Sequence, residues 1–384
     1  MEDPIEYHRR NRGKIRVEGK VKVETEEDMS LAYTPGVAEP SREIADDRSK
    51  SYEYTTKGEM AAVVSDGSAV LGLGDVGPEA AVPVMEGKAL LIRELAGVSA
   101  FPVVLDEDDT GDLIDAAESL HPVFGFMMLE DIASPECFRV EEELRESLDI
   151  PVFHDDQHGA AVSVLAGIKN ALQVVGKDLE EVSATVVGAG AAGIATTDLL
   201  LEAGVGEVKV VDRPGIIHGG MEELNEYQRE IGRRTNPEGE EGGLQEALRG
   251  SDVLVGLSAP GIVSKEMVKS MKDDAVVFAL ANPDPEITYS DAREAGAAVV
   301  GTGRSDEPNQ VNNSLAFPGI VKGALDCRAS GINDDMKMAA AEAIASLVEP
   351  GPENILPSAL NRDLPGKVAE AMVEAAGETG VCRV

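Results

Sequence analysis

The sequence predicts an α/β protein built from two units, and two observations carry that prediction. Short β-branched runs alternate with helical patterns over most of the 384 residues, as expected of parallel strands joined by helical crossovers. At residue 159 the pattern changes: a long helical stretch to residue 173 leads into an apolar strand and a glycine-rich turn. The expected division is therefore 1–158 and 159–384, the second unit being a doubly wound sheet. Aromatic residues make up only 3% of the chain and tryptophan is absent. Val, Leu, Ile, Ala and Met must fill the cores, which suits strands covered by helices on both faces.

In chain order, residues 1–28 are polar, and alternation over 14–24 predicts an edge strand. Residues 30–40 contain two prolines and a glycine, which predicts a rigid loop presenting Tyr33. A short helix is expected near 41–47. Strands follow at 61–65, 70–75, 101–105, 125–129 and 150–153, with helices at 86–96, 109–119 and 137–147. In the second unit, strands are expected at 184–188, 207–211, 252–256, 275–281 and 297–300. Residues 232–243, rich in glycine and glutamate, predict an exposed loop. Helices at 316–348 and 363–376 are expected to pack back onto the first unit.

Charge narrows the function. The chain has 71 acidic and 34 basic residues, a formal net charge of −37. Such a field repels nucleic acid and anionic membranes, so neither is an expected partner. The acids are dispersed rather than clustered in a tail, as in proteins adapted to a high-salt cytoplasm, where screening weakens self-repulsion. Three cysteines, an odd number without close spacing, argue against a disulfide framework and for a reducing compartment. No apolar run approaches membrane-spanning length, and no secretory pattern opens the chain. A cytoplasmic protein is expected.

Residues 188–193 read Gly-Ala-Gly-Ala-Ala-Gly after an apolar strand and before an apolar helix, the context of a dinucleotide-binding turn. Gly188 makes the turn, Gly190 admits a pyrophosphate and Gly193 lets the helix pack closely, with Ala189, Ala191 and Ala192 between them. Asp212 ends the following strand, 24 residues after Gly188, where an acid accepts hydrogen bonds from the ribose of NAD and disfavours the extra phosphate of NADP. Arg213 beside it could pair with that phosphate, so NADP stays open.

Glu130-Asp131 and Asp155-Asp156 each stand at a strand end, where open α/β sheets bind ligands. Converging carboxylates suit Mg²⁺ or Mn²⁺, which take oxygen ligands. The plainer reading is that each pair caps a helix. His154 and His158 have i, i+4 spacing, yet His158-Gly159 reads as a helix boundary, and structural, hydrogen-bonded histidines are expected rather than zinc ligands. A lysine such as Lys88, facing a desolvated site, has a lowered pKa and can serve as a base. By spacing alone, though, Lys88 reads as a snorkelling lysine and Tyr33 as a core tyrosine.

Eight blocks in order resemble one family: Tyr33-Thr-Pro-Gly-Val-Ala, Val70-Leu-Gly-Leu-Gly-Asp, Pro83-Val-Met-Glu-Gly-Lys, Leu129-Glu-Asp-Ile, Phe153-His-Asp-Asp-Gln-His-Gly, the glycine-rich turn, Ala281-Asn-Pro and Gln310-Val-Asn-Asn. Together they resemble the malic enzymes in their short prokaryotic form. The resemblance implies oxidative decarboxylation of L-malate to pyruvate and CO₂ with NAD or NADP, and oxaloacetate decarboxylation as an associated activity. It implies Tyr33 as general acid, Lys88 as general base, and Glu130, Asp131 and Asp156 as metal ligands with Asp155 in the same cluster. Asn282 and Asn313, with Asn312, match positions near substrate and nicotinamide. Larger relatives carry a carboxylate-gripping arginine where this chain has Ser68, Ala69 and Val70, which leaves that carboxylate's partner open. A homodimer or higher homo-oligomer is implied. Two alternatives stand beside this reading: an enzyme like the amino-acid dehydrogenases, which would lack paired acidic ligands, and a nucleotide-binding module without turnover.

Overall fold

A computed structural model describes residues 3–70, 72–107 and 109–384. Its first sheet contains β1 (Met60–Ser65), β2 (Ser99–Val104), β3 (Phe126–Leu129) and β4 (Val152–His154). These strands are all parallel, in the order β2-β1-β3-β4. The central strands β1 and β3 are buried almost throughout, whereas edge strand β2 is half-exposed. That burial explains why their sequences read as unbroken apolar runs rather than alternating ones.

The second sheet contains β5 (Ser183–Val187), β6 (Glu207–Asp212), β7 (Gly215–Ile216), β8 (Val253–Gly256), β9 (Val276–Ala279) and β10 (Val299–Thr302). Its order is β10-β9-β8-β5-β6-β7, parallel except for the two-residue β7. In each sheet the order turns back at one point, between β1 and β3 in the first and between β5 and β8 in the second. Those are the crevices where strand ends accept ligands.

One helix, Asp155–Val175, joins the two sheets. Its apolar residues share a single continuous core with β1, β3, β5, β8 and the helices Phe317–Asp326, Asp334–Ala345 and Leu364–Glu378. The last helical layer reaches the first unit, as expected: Arg145 donates to Ile332 O, and Arg362 donates to Glu94 O.

Several expectations change. Residues 14–24 form no strand. Lys14 is tied to the Pro78–Leu91 helix, its N donating to Glu86 and its Nζ to Pro83 O, and Val17, Val21 and Val23 are exposed. The segment belongs to neither sheet, so its alternation serves no paired face. Residues 70–75 are not a strand either. Val70 and Gly74 pair across a turn that uses left-handed glycines at 72 and 74, and Leu71 lies outside the described residues. The loop expected at 232–243 is helical up to Thr235, and buried Asn236 then holds Ile217 O and both backbone groups of Glu240. Most consequential, the long helix starts at Asp155 rather than 159. Gly159 is therefore inside it. A Cβ there would lie 2.0 Å from Asp155 Oδ1, so the glycine makes room for a carboxylate and does not mark a boundary.

At the opposite end of the central strands of the second sheet, just before β8 begins, buried Asp252 ties β5 to β8. Its carboxylate accepts from Lys177 Nζ at 3.0 Å, Lys272 Nζ at 2.6 Å and Ser183 N at 2.9 Å. Burial alone would raise its pKa, but the bonds from Lys272, Ser183 and Lys177 outweigh burial and hold it at about 2. A carboxyl depressed in the fold adds stability that is full above its unfolded value and is lost as the pH falls through the folded one. Asp252→Asn should therefore cost about 2 kcal/mol at neutral pH. In urea melts the gap from wild type should close as the pH drops from about 4 toward 2; a gap independent of pH would contradict this.

Candidate active site

Strand register assembles the acidic groups. Leu129 pairs with His154 across β3 and β4, so Glu130 and Asp155 leave the sheet side by side. Asp131 adopts the left-handed conformation at φ 54° and donates its N to Asp156 Oδ2 at 2.8 Å. Glu130, Asp131 and Asp156 present oxygens that all lie within 4.8 Å of one another. Glu130 Oε2 is buried without a hydrogen-bond partner. Burial, and then the Asp156 charge, push the Glu130 pKa well up. A hard divalent cation fits this oxygen set. The Asp155-Asp156 pair does occupy a first helical turn, where negative charge is favoured. A first-turn position and ion binding are therefore compatible for this pair, although no side chain caps the helix start by a hydrogen bond.

Asp155 turns the other way. Lys88 Nζ donates to Asp155 Oδ2 at 2.5 Å and lies 2.6 Å from Glu130 Oε1, 4.5 Å from the centre of the Phe317 ring. All three ionisable groups are buried. Burial works to lower the Lys88 pKa, but the charges of Asp155, Glu130 and Asp156 outweigh it and hold it above the ordinary lysine value. The lowered pKa expected from the sequence is reversed here, because spacing along the chain did not reveal two carboxylates in contact with the amine.

His158 faces away from the acidic group. His158 Nε2 contacts Glu141 Oε2 at 2.9 Å, and its Nδ1 lies 3.4 Å from Lys337 Nζ. Burial would raise the Glu141 pKa, yet the His158 contact and the bond from His154 N bring it to about 2. His154 departs from the expectation of a satisfied histidine: it is fully buried and neither ring nitrogen is hydrogen-bonded.

Between the two crevices lies a cavity of about 370 Å³. Asp131 and Asp156 line one side, Ala191 and Ala192 another, and Asn282, Asn312 and Asn313 a third. The glycine-rich turn is shaped as its spacing suggests. Gly188 has φ +106°, and a Cβ on it would lie 2.4 Å from Leu257 O; a Cβ on Gly193 would lie 1.8 Å from Gly188 O. Space around Gly190 is open. Asp212 Oδ2 accepts from Ala189 N at 2.9 Å, bracing the turn from the next strand.

Several lining residues escaped the sequence reading. Ala160, Ser163 and Val164 join Asp156 on one helical face, a periodicity hidden by starting the helix four residues late. Leu257, Leu280 and Gly303 are each the first residue after a strand, a signal the strand-end rule could have used. Ala69 also lines the cavity. Tyr33 does not. It is 70% exposed, and none of residues 3–56 is buried, so the core-tyrosine reading fails.

Comparison with known proteins gives these features their family. Residues 10–115 match the malic enzyme N-terminal domain, and residues 157–377 match the malic enzyme NAD binding domain. The chain belongs to the malic enzymes. Among malic enzymes it is 50% identical to the bifunctional malic/malolactic enzyme of Bacillus subtilis, over 100% of this chain and 94% of that one. It is 52% identical to the NAD-dependent malic enzyme of Geobacillus stearothermophilus, over 97% of this chain and 78% of that one. The crystal structure of the malic enzyme from Pyrococcus horikoshii superposes with a TM-score of 0.94 at 52% identity, covering 97% of this chain and 88% of that one. As a malic enzyme, the chain combines an α/β N-terminal domain with a Rossmann-like domain.

Proposed function

We propose that this chain oxidises and decarboxylates L-malate to pyruvate and CO₂, reducing NAD, with Mg²⁺ or Mn²⁺ at Glu130, Asp131 and Asp156. The observation that carries this reading is Lys88 clamped between Asp155 and Glu130 at the edge of that carboxylate set. Lys88 takes the malate hydroxyl proton as C2 gives up hydride to the dinucleotide, Asp155 orients the amine, and Asn282, Asn312 and Asn313 position substrate and nicotinamide. A bound divalent ion would polarise the keto and carboxylate oxygens as CO₂ leaves, and its charge would offset the carboxylates that keep Lys88 protonated. The two residue pairs would have no such use in an amino-acid dehydrogenase. Gly188, Ala189 and Gly190 cradle the pyrophosphate while Gly193 lets the helix pack against the turn, and Asp212 favours NAD over NADP by repelling a ribose phosphate. Oxaloacetate decarboxylation would use the same groups without the dinucleotide.

Tyr33 is the proposed acid that protonates C3 of enolpyruvate. Its exposure, and the exposed Val17, Val21 and Leu31 on the same arm, support a homodimer in which each arm docks on the other copy and brings Tyr33 to that copy's site. Mixing inactive Tyr33→Phe and Lys88→Met subunits should then restore about a quarter of the sites. No recovery on subunit exchange would mean that Tyr33 acts within its own chain.

The proposed boundary between substrate and nucleotide domains is at 158/159, inside the joining helix. No helix among the described residues is long and apolar enough to cross a membrane, and with the −37 charge this supports a cytoplasmic, salt-adapted enzyme. One assay tests the whole reading: NAD(P)H absorbance with malate, with and without Mn²⁺, from low to molar KCl. Malate-dependent signal that requires Mn²⁺ and rises with salt is expected. Signal independent of Mn²⁺ would overturn the mechanism, and signal that falls with salt would overturn the adaptation.

A further inference from the structure

Two of the three cysteines, distant in sequence, meet where the helical layer closes. Cys327 caps the end of the Phe317–Asp326 helix and is 1% exposed. Cys382 follows the Leu364–Glu378 helix and is only partly buried. Backbone bonds lace the two segments together on both sides of the pair: Arg383 N donates to Cys327 O at 3.0 Å, and Ser330 N donates to Val381 O at 2.9 Å. Bonds of this kind hold neighbouring backbones at roughly the separation a disulfide spans, about 4.4–6.8 Å between Cα atoms. The Cys382 thiol neighbours Cys327 and acts on it, while Cys382 Sγ itself donates to Val384 O at 2.8 Å and Cys327 Sγ to Ala324 O at 3.9 Å. Cys137 packs in a different core, among Leu113, Phe138 and Leu144.

We propose that Cys327 and Cys382 are a redox modification site, closing to a reversible disulfide on reaction with a low-molecular-weight disulfide. The Cys382 thiolate attacks one sulfur of the small disulfide; that S–S bond breaks, and one half departs as a thiol. Cys327 then releases its proton to solvent, and its sulfur attacks Cys382 Sγ and expels the second half. Two protein thiols are oxidised by two electrons to one disulfide, and the small disulfide is reduced to two thiols. Exposure sets the order. Burial, and then the neighbouring Cys382 thiol, raise the Cys327 pKa to about 11, so Cys327 reacts as the resolving partner and not as the first nucleophile.

The bond would close a long loop containing the Asp334–Ala345 and Leu364–Glu378 helices, and restrict the unfolded chain more than the folded one. It would also anchor the segment from which Arg383 donates to Asp149 O at 2.9 Å, across to the first unit. Neither cysteine lines the catalytic cavity, so turnover should persist.

The test uses the full chain, reduced and then incubated with oxidised glutathione. Expected are a mass loss of about 2 Da in the non-reduced protein, a peptide linking Cys327 to Cys382, and a Tm raised by about 5 °C that dithiothreitol reverses. Cys382→Ser and Cys327→Ser should each abolish both the mass loss and the redox-dependent Tm. A glutathione adduct that stays on Cys382 while Cys327 remains a free thiol would overturn the proposal. Disulfide-linked pairs of chains through Cys382 would do the same.

Discussion

Lys88→Met is expected to lower kcat for malate oxidation about 10³-fold, the range lost with a positioned general base, while KM for malate changes little. The same change should reveal what Lys88 does for the fold. In the wild type its ammonium is the cation shared by Asp155 and Glu130, both buried. Methionine fills the space and still packs on Phe317, but leaves two carboxylates facing each other in a dry site. Breaking a buried pair in this way costs about 3–5 kcal/mol. Glu130, whose pKa burial and Asp156 already push up, can relieve part of that cost by taking a proton. Metal-free variant should therefore melt below wild type, and Mn²⁺ should narrow the difference by supplying the missing positive charge. Stopped-time assays and thermal melts with and without Mn²⁺ separate the two effects. Near-normal kcat would remove Lys88 from the mechanism, and a metal-free melt equal to wild type would remove it from the electrostatic account.

Asp156→Ala should behave oppositely toward stability. Substituting a residue that only supports a metal ligand costs about 10–100-fold, so losing a ligand itself should lower Mn²⁺-dependent turnover by more than about 100-fold. The fold should survive. The lost hydrogen bond from Asp131 N is worth about 1–2 kcal/mol, and removing one of the charges crowding Glu130 returns some of that. Melting of the metal-free variant should stay close to wild type, while the Mn²⁺-induced rise in Tm disappears. Mn²⁺ titrations followed by electron paramagnetic resonance should show the binding lost directly. Near-normal activity, or an intact Mn²⁺-induced rise, would mean that the ion sits on other groups.

These contrasting outcomes come from residues that the sequence displayed unequally. Gly188, Gly190 and Gly193 were legible because their role is local: a left-handed turn and a close approach of backbone to backbone depend on a few consecutive residues. The paired carboxylates were legible because adjacent acids at strand ends are costly without a partner. Strands β1, β3, β5, β8 and β9 were legible as apolar runs, since both faces are covered. The strand expected at 14–24 was not there because alternation describes only one face, and whether a sheet edge waits for it is a long-range fact. The late helix start at 159 came from taking glycine as punctuation; what crowds Gly159 is Asp155 Oδ1, and the other oxygen of that carboxylate is held by Lys88, 67 residues away from Asp155 along the chain.

By itself, then, the sequence determined the α/β class, the two units, the dinucleotide turn and the identity of the acidic residues. All of these follow from patterns repeated over short windows, where backbone geometry and hydrophobic periodicity act. Only the tertiary structure decided that Asp155 faces Lys88 while Asp156 faces Glu130 and Asp131, that these neighbours raise the Lys88 pKa instead of lowering it, and that Tyr33 stands on an exposed arm. Those outcomes depend on strand register and on charges meeting across a buried site. Electrostatic energy there depends on separation in space and on exclusion of water, and neither can be read from separation along the chain.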